Sequence, residues 1–296
     1  MKIIHLNNVD FIGEFINSTV LALGFFDGVH LGHQQLIMQA KEISKRKNLK
    51  LAVMTFYPHP KEILQGGKFN YLMTPEAKEE KMRQLGVDYL YIVDFNKGFA
   101  KLSPSAFVKH YIINLNVTHV VAGFDYTYGH KGRGTMDTMR EQAGGEFEVT
   151  VLPKVELNGI KISSTHIRNL LFMGDVKQVK SFMGYDYEAK GQLYTASSGK
   201  LSQTSKLQNF LPKRNAYIFV PSNHCLIPCL GNYIVEVLFF NSTESATAEI
   251  FLGPSNEKKV IIQFCNQLKI NYKDIEFRIK WMKRFENGGI KKEHQL

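Results

Sequence analysis

The sequence predicts an α/β protein: a doubly wound parallel sheet over residues 1–184, then a small antiparallel β-barrel domain with a C-terminal helix over residues 185–296. Three observations lead there. Through the first 184 residues, apolar runs of strand length alternate with helical patterns, as βα units do. After Gly184 that alternation gives way to consecutive β-rich runs separated by Gly, Ser, Asn and Pro. The 296 residues, 44% of them hydrophobic, amount to about two domains of ordinary size with enough apolar material for a core.

Each element of the first domain has a local cause. Val20 to Gly24 is a short buried run, and the apolar residues Leu36, Ile37, Ala40 and Ile43 beyond Gly32 fall on one helix face. LAVMTF (Leu51 to Phe56) is the next strand. A helix opens at Thr74-Pro75, with Thr as cap and Pro in the first turn, and another opens in the same way at Ser103-Pro104. DYLYIV (Asp88 to Val93), VTHVVA (Val117 to Ala122) and FEVTVL (Phe147 to Leu152) continue the strands. In a Rossmann-like sheet of this kind, ligands sit beyond the carboxyl ends of the strands. In the second domain YEAKGQLYTA, NAYIFV, NYIVEVLFF, ATAEIFL and KVIIQF read as strands, Ser197 to Asn209 as a polar loop, and Tyr272 to Phe285 as the closing helix.

Composition excludes several classes. Three cysteines, Cys225, Cys229 and Cys265, form no CxxC and are too few for a disulfide framework, so the expected setting is reducing and cytoplasmic. No apolar window approaches the ~18 residues of a membrane span, and the N-terminal stretch carries Asp10 and Glu14 in place of an export signal. The net charge of +10 raises a nucleic-acid reading, but the excess is spread evenly. Residues 1–184 hold 22 Lys and Arg against 17 Asp and Glu, and residues 185–296 hold 15 against 10. The one sizeable basic cluster is Lys41, Lys45, Arg46, Lys47 and Lys50. An anionic small substrate such as a nucleotide accounts for this better than nucleic acid or a membrane surface; whether there is a protein partner is not written in the sequence.

Two stretches carry chemistry. Gly24-Phe25-Phe26-Asp27-Gly28-Val29-His30-Leu31-Gly32-His33 leaves a buried strand and enters a helix. Its glycines admit a ligand close to the backbone, and a helix N-terminus favours phosphate. His30 and His33, three apart, can both face that phosphate; two surface histidines or a metal pair are the alternatives. Lys161-Ile162-Ser163-Ser164-Thr165-His166-Ile167-Arg168 again opens a helix, where Ser164 or Thr165 is a natural cap. Those hydroxyls, with an Arg one turn on, also suit the far end of a triphosphate. The two stretches in this order point to nucleotidyl transfer, in which an enzyme positions the nucleophile and neutralises charge on phosphorus.

Through GFFDGVHLGH, TFYPHP (Thr55 to Pro60), LMTPEAKEEKMRQLGVD (Leu72 to Asp88), FAKLSPSAFV (Phe99 to Val108), VVAGFDYTYGHKGRGT (Val120 to Thr135) and ISSTHIR (Ile162 to Arg168), the chain resembles the prokaryotic-type FAD synthetases. These are bifunctional riboflavin kinase and FMN adenylyltransferase enzymes, and the match is collinear over nearly all of residues 1–184. The resemblance implies that His30 and His33 bind the ATP phosphates and steady charge at the α-phosphorus. It implies that Gly24, Phe25, Asp27, Gly28, Gly123 and Ser163 shape the ATP pocket, and that Ser164, Thr165 and Arg168 hold the triphosphate tail and the departing pyrophosphate. Phe56, Pro58 and His59, with Phe124, Asp125, Tyr126 and Tyr128, are implied on the flavin side. The aromatics among them suit stacking on isoalloxazine or adenine, or else pack a glycine-bounded loop. Mg²⁺ is expected with ATP, with no ligand set identified.

In that family the barrel is a riboflavin kinase, with a Gly-Arg loop, a Pro-Thr-Ala-Asn motif serving the ATP-bound metal, and a Glu as base. Where these are due, the chain reads GQLYTASSGKLSQTSKLQNFLPKRNAYIF, without either motif. The strand Ala246-Thr247-Ala248-Glu249 puts Thr247 at the base position, unless a register shift brings in Glu249. The expectation is an FMN adenylyltransferase with a kinase-inactive barrel; a bifunctional enzyme, another small-molecule nucleotidyltransferase, or an inert flavin or nucleotide sensor are the alternatives.

Overall fold

The structure, a computed structural model, describes residues 1–6, 17–195, 215–222, 225–239, 242–253, 256–266 and 276–286. Two compact units divide the chain, residues 1–69 with 75–163, and residues 70–74 with 164–296. The packing division thus falls at Ser163/Ser164, twenty residues before the change in sequence texture at Gly184.

The first unit is built on six parallel strands: β1 (Lys2–Leu6), β2 (Thr19–Leu23), β3 (Lys50–Tyr57), β4 (Tyr89–Asp94), β5 (Val117–Gly123) and β6 (Glu148–Leu152). They run side by side in the order β1-β4-β3-β2-β5-β6. β1, absent from the strands expected above, is an edge strand with a single neighbour, so its residues KIIHL need no continuous apolar run. β2 is central and fully buried, and the order reverses between it and β5. The crevice at the carboxyl end of β2 is therefore the topological switch point of this sheet, where open α/β folds bind ligands.

Helix α1 (Leu31–Lys47) starts at that point. Leu36, Ile37, Ala40 and Ile43 bury its inner face, and Asn48, at φ 53°, stops it in a left-handed C-cap. The basic cluster noted in the sequence is largely spent on this end of the helix. Lys45, Arg46 and Lys47 fill its last turn, favourable to the helix dipole, Lys47 pairs with Glu148, and Lys41 donates to the Leu85 carbonyl at 2.7 Å. Short helix α2 (Pro60–Gln65) and helix α3 (Pro75–Gln84) join β3 to β4. α4 (Pro104–Val108), which continues into one π turn, begins on the expected Ser-Pro start with Ser103 as cap; α5 (Met136–Ala143) opens on a Thr135/Thr138 capping box. A two-residue hairpin, β7 (Glu156–Leu157) with β8 (Ile160–Lys161), follows β6.

In the second unit α6 (Ser164–Met173) and α7 (Val176–Met183) pack with a closed six-stranded antiparallel barrel. Its strands are β9 (Tyr187–Thr195), β10 (Ala216–Pro221), β11 (Gly231–Leu238), β12 (Thr243–Leu252), β13 (Lys258–Phe264) and β14 (Glu276–Phe285). Around the barrel they run β10-β13-β12-β11-β14-β9, and β9 closes on β10. The C-terminal helix expected over Tyr272 to Phe285 is corrected by β14. Over Glu276–Phe285 the residues Phe277, Ile279 and Trp281 alternate inward with a period of two, and β14 is the sixth stave that closes the barrel. Each of those three buried side chains contributes roughly 1.5–3 kcal/mol of hydrophobic stabilisation. Gly191 in β9 is required sterically, since a Cβ there would collide with the Phe219 ring and the Val220 carbonyl oxygen. The polar loop expected at Ser197 to Asn209 lies outside the described residues.

Candidate active site

The turn from β2 to α1 places every residue of the first chemical stretch at the switch point. Phe26, Gly28 and Val29 all adopt positive φ, at 54°, 77° and 30°. For a β-branched valine this is costly, and it persists only where neighbours enforce it. Phe26 and Val29 are completely buried, as is Asp27 at 1% exposure. Gly24 has no room for a side chain, because a Cβ would lie 2.8 Å from the Phe26 ring. The chain is thus folded back tightly ahead of α1, whose N-terminal amides and positive dipole end make an anion cradle.

His30 caps α1, and its Nδ1 accepts from the His33 backbone N–H at 3.2 Å. A ring nitrogen that accepts is unprotonated, so a neutral His30 carries its proton on Nε2 and can donate from there. The two imidazoles lie stacked, with centroids 3.6 Å apart and planes 14° apart, and the Phe26 ring meets His33 edge-on at 5.2 Å. Enclosure, then the charge of His30, then that of Lys78, hold the His33 pKa well below the usual histidine value. His33 is therefore neutral near pH 7. Its Nδ1 has no hydrogen-bond partner among the described residues. Gly32 lies between the rings and the Ile162 carbonyl, 3.7 Å from where its Cβ would be, so the strand end before Ser163 runs beside the cradle.

Below the cradle sits a residue to which the sequence reading gave no role. Lys78 of α3 is 8% exposed and donates to the Phe25 carbonyl at 2.9 Å and to the Thr55 hydroxyl at 3.1 Å. Thr55 itself donates to the same carbonyl at 2.7 Å. The Lys78 ammonium is 4.6 Å from the Phe25 ring centroid. Burial lowers the Lys78 pKa to about 8, against an opposing pull from Asp27. The signal was present: Lys78 falls four residues before Met82, on the buried stripe of an otherwise charged helix. On its other side Phe25 meets His59 edge-on at 4.4 Å, and His59 stacks on Phe69 at 3.5 Å. His59 also caps α2 by accepting from the Lys61 N–H at 3.0 Å.

A cavity of about 480 Å³ opens elsewhere in the same unit. Phe56, Pro60, Leu64, Phe95, Phe99, Leu102, Phe107, Tyr126 and Tyr128 line it with the 127–132 turn. Of the residues implied on the flavin side it takes in Phe56, Tyr126 and Tyr128; Pro58, His59, Phe124 and Asp125 are outside its lining. Tyr128 is anchored as well as lining, its hydroxyl donating to Gln142 Oε1 at 2.9 Å. Burial raises the pKa of Tyr126, so its phenol stays protonated. Phe124 is half exposed; Lys161 lies 4.8 Å from its ring centroid and pairs with Asp125 at 2.6 Å, both of them at the carboxyl end of β5 beyond Gly123. The sheet links cavity and cradle. Thr55 and Phe56 are consecutive on β3 and point to opposite faces, one toward Phe25 and the other into the cavity.

In the second unit Ser164 and Thr165 open α6, which buries Ile167, Leu170 and Leu171. Arg168 donates to the Asn70 carbonyl at 3.3 Å. Among the described residues no group of three or more His, Cys, Asp or Glu is placed to hold a metal ion, and no helix is long and apolar enough to cross a membrane.

The family model for FAD synthetase matches residues 13–166. A bifunctional riboflavin kinase/FMN adenylyltransferase of Bacillus subtilis is 48% identical over 98% of this chain and 93% of its own length. One of Listeria monocytogenes is 42% identical over 84% of this chain and 78% of its own. A Listeria protein named FAD synthetase is 33% identical over 80% and 88%. Among solved structures, a Streptococcus pneumoniae protein titled a macrolide-efflux protein superposes with a TM-score of 0.82, at 26% identity, over 99% of this chain and 93% of its own. Together with the switch-point cradle, these likenesses establish that the chain belongs to the FAD synthetase family of FMN adenylyltransferases.

Proposed function

We propose that this chain makes FAD and pyrophosphate from FMN and ATP in the cytoplasm, and that its barrel no longer phosphorylates riboflavin. The observation that carries the first half is the pair of stacked imidazoles at the N-terminus of α1, with His33 held neutral and His30 Nδ1 accepting from the His33 amide. An FMN phosphate oxygen attacks the ATP α-phosphorus in line. The new P–O bond forms as the bond to the β-phosphate oxygen breaks, and pyrophosphate leaves with that electron pair. No side chain has to become covalently attached, so the task is positioning and charge neutralisation. Gly24, Phe25, Asp27 and Gly28 shape the ATP pocket, the amides at the N-terminus of α1 face the phosphates, and the two histidines donate to oxygens that gain charge as the leaving group departs. Ser164, Thr165 and Arg168 take the triphosphate tail, with Gly123 and Ser163 bounding the nucleotide. The aromatic cavity takes the isoalloxazine, its volume being that of an ordinary small-molecule pocket. Mg²⁺ arrives with ATP as its counter-ion.

In functional terms residues 1–184 are the adenylyltransferase and residues 185–296 the kinase-like barrel. Loss of the kinase rests on the missing Gly-Arg and Pro-Thr-Ala-Asn sequences between Gly191 and Phe219. Thr247 and Glu249 share the outward side of β12, opposite the buried Ala246, Ala248 and Ile250, so a shift of two residues along that strand would exchange Thr for a carboxylate without changing face. The second reading, a chain that retains both activities, draws on the bifunctional names of the Bacillus and Listeria relatives.

The deciding experiment supplies ATP and Mg²⁺ with riboflavin in one reaction and FMN in another, and separates the flavins by chromatography. FAD from FMN with no FMN from riboflavin is the expected result. FMN formed from riboflavin overturns the loss of the kinase, and no product from either substrate leaves a sensor.

A further inference from the structure

We infer that Lys78 is a positioning residue of the ATP site: a buried ammonium, fixed under the Gly24–Gly28 turn by the Phe25 carbonyl and the Thr55 hydroxyl, that draws the triphosphate into the cradle of His30 and His33. The inference rests on the adenylyltransferase reading and adds a residue to it.

The geometry separates Lys78 from an ordinary strut. Thr55 donates to the Phe25 carbonyl at 2.7 Å, so the turn is already tied to β3 without any charge. Lys78 adds its own bonds to that carbonyl and to the Thr55 oxygen, which occupy two of the three ammonium protons among the described residues. Burying an ammonium is costly, and an apolar side chain of the same length would pack the stem equally well. A carboxylate at contact distance is the usual compensation, yet no ion pair to Lys78 is found among the described residues, and Asp27 acts on it only through its field. The field of Lys78 in turn reaches His33. The charge is therefore under-compensated in the folded protein, and it lies beneath a helix N-terminus of the same sign. Positive charge concentrated without a full counter-charge is the arrangement an incoming polyanion relieves.

The groups facing this ammonium are Asp27 on the turn, His33 on α1, and the uncharged Thr55 on β3. His33 is already neutral above pH 7, and burial brings the Lys78 pKa to about 8, so the Lys78 proton is in play between pH 7 and 9.

The test is calorimetric titration of the full chain with MgATP, which does not require FMN or turnover. Wild-type affinity should fall by about tenfold from pH 7 to pH 9 as the ammonium is lost. K78R should bind at both pH values alike, because guanidinium does not titrate there. K78M should bind at least tenfold more weakly at pH 7 and show no fall at pH 9. Wild-type affinity that is the same at pH 7 and 9 overturns the inference, and that measurement needs no variant to fold. So does a folded K78M that binds MgATP within twofold of wild type at pH 7. A wild-type chain that binds MgATP yet forms no FAD from FMN would overturn the adenylyltransferase reading instead, while the role of Lys78 would still be read from binding.

Discussion

His30 and His33 are one hydrogen-bonded unit: the His30 ring accepts from the His33 backbone amide at 3.2 Å and lies parallel to the His33 ring, 3.6 Å between centroids. The same imidazole thus caps the helix and, in the proposed reaction, faces the substrate. Two effects should therefore separate on mutation. H30N keeps a side-chain acceptor for the cap and should leave the melting temperature near wild type, while H30A removes the cap and costs about 1 kcal/mol. Both should lower kcat for FAD formation by roughly 10²–10³-fold, as loss of a transition-state donor does. H30N with wild-type kcat would sink the catalytic assignment.

His33 should make the fold acid-sensitive. Its folded pKa lies below the unfolded value near 6.5, so the unfolded chain binds the extra proton. Its contribution to stability is complete above that unfolded value and is lost as pH falls through the depressed folded one. Thermal melts of wild type should therefore drop more steeply below pH 6.5 than those of H33Q, and parallel curves would show that His33 is not held neutral.

The aromatic cavity predicts a selective effect on flavin. Leu64 lines it yet is 63% exposed, so L64E disturbs little packing and should change stability by less than about 0.5 kcal/mol. It should raise KM for FMN by about tenfold and leave KM for ATP unchanged. An equal rise in both would mean that the flavin ring binds elsewhere.

The ion pair between Lys161 and Asp125 is well exposed on both sides and should be worth less than about 1 kcal/mol to stability. D125N should consequently melt within a few degrees of wild type. If Asp125 works on the flavin side, KM for FMN rises all the same; if it does not move, the pair is a surface contact only.

Trp281 is the single tryptophan of the chain and is buried on β14, edge-on to Tyr233 at 5.4 Å. Its fluorescence is accordingly a probe of the barrel alone. Its indole nitrogen has no hydrogen-bond partner among the described residues, so W281F loses volume and no bond; a cost of about 1–3 kcal/mol is expected, against 3–5 kcal/mol for W281A. Emission that already resembles water-exposed indole in the native protein would contradict the closed barrel.

Much of this was legible from local chemistry. The buried run Val20 to Leu23, the Thr-Pro and Ser-Pro helix starts and the glycines before His30 announced βα units and a tight turn into a helix, because periodicity, capping and steric freedom act over a few residues. The mistaken helix at the C-terminus has the same origin. Phe277, Ile279 and Trp281 alternate strictly, but Arg278, Lys280, Lys283 and Arg284 between and after them also suit an exposed helix face, and only the partners β9 and β11 settle the period. β1 escaped because an edge strand needs no continuous apolar run.

What the sequence by itself determined is the set of local parts: strands, caps, the tight turn into α1 and the motif that names the family. Tertiary structure alone decided which parts meet. It put β2 at the switch point, brought Lys78 from α3 beneath Phe25, 53 positions away along the chain, and gathered Phe56, Phe99 and Tyr128 around one cavity. The physical reason is range. Propensities and capping bonds join near neighbours, whereas burial and the fields of charged groups depend on distance in space, which the order of residues does not encode.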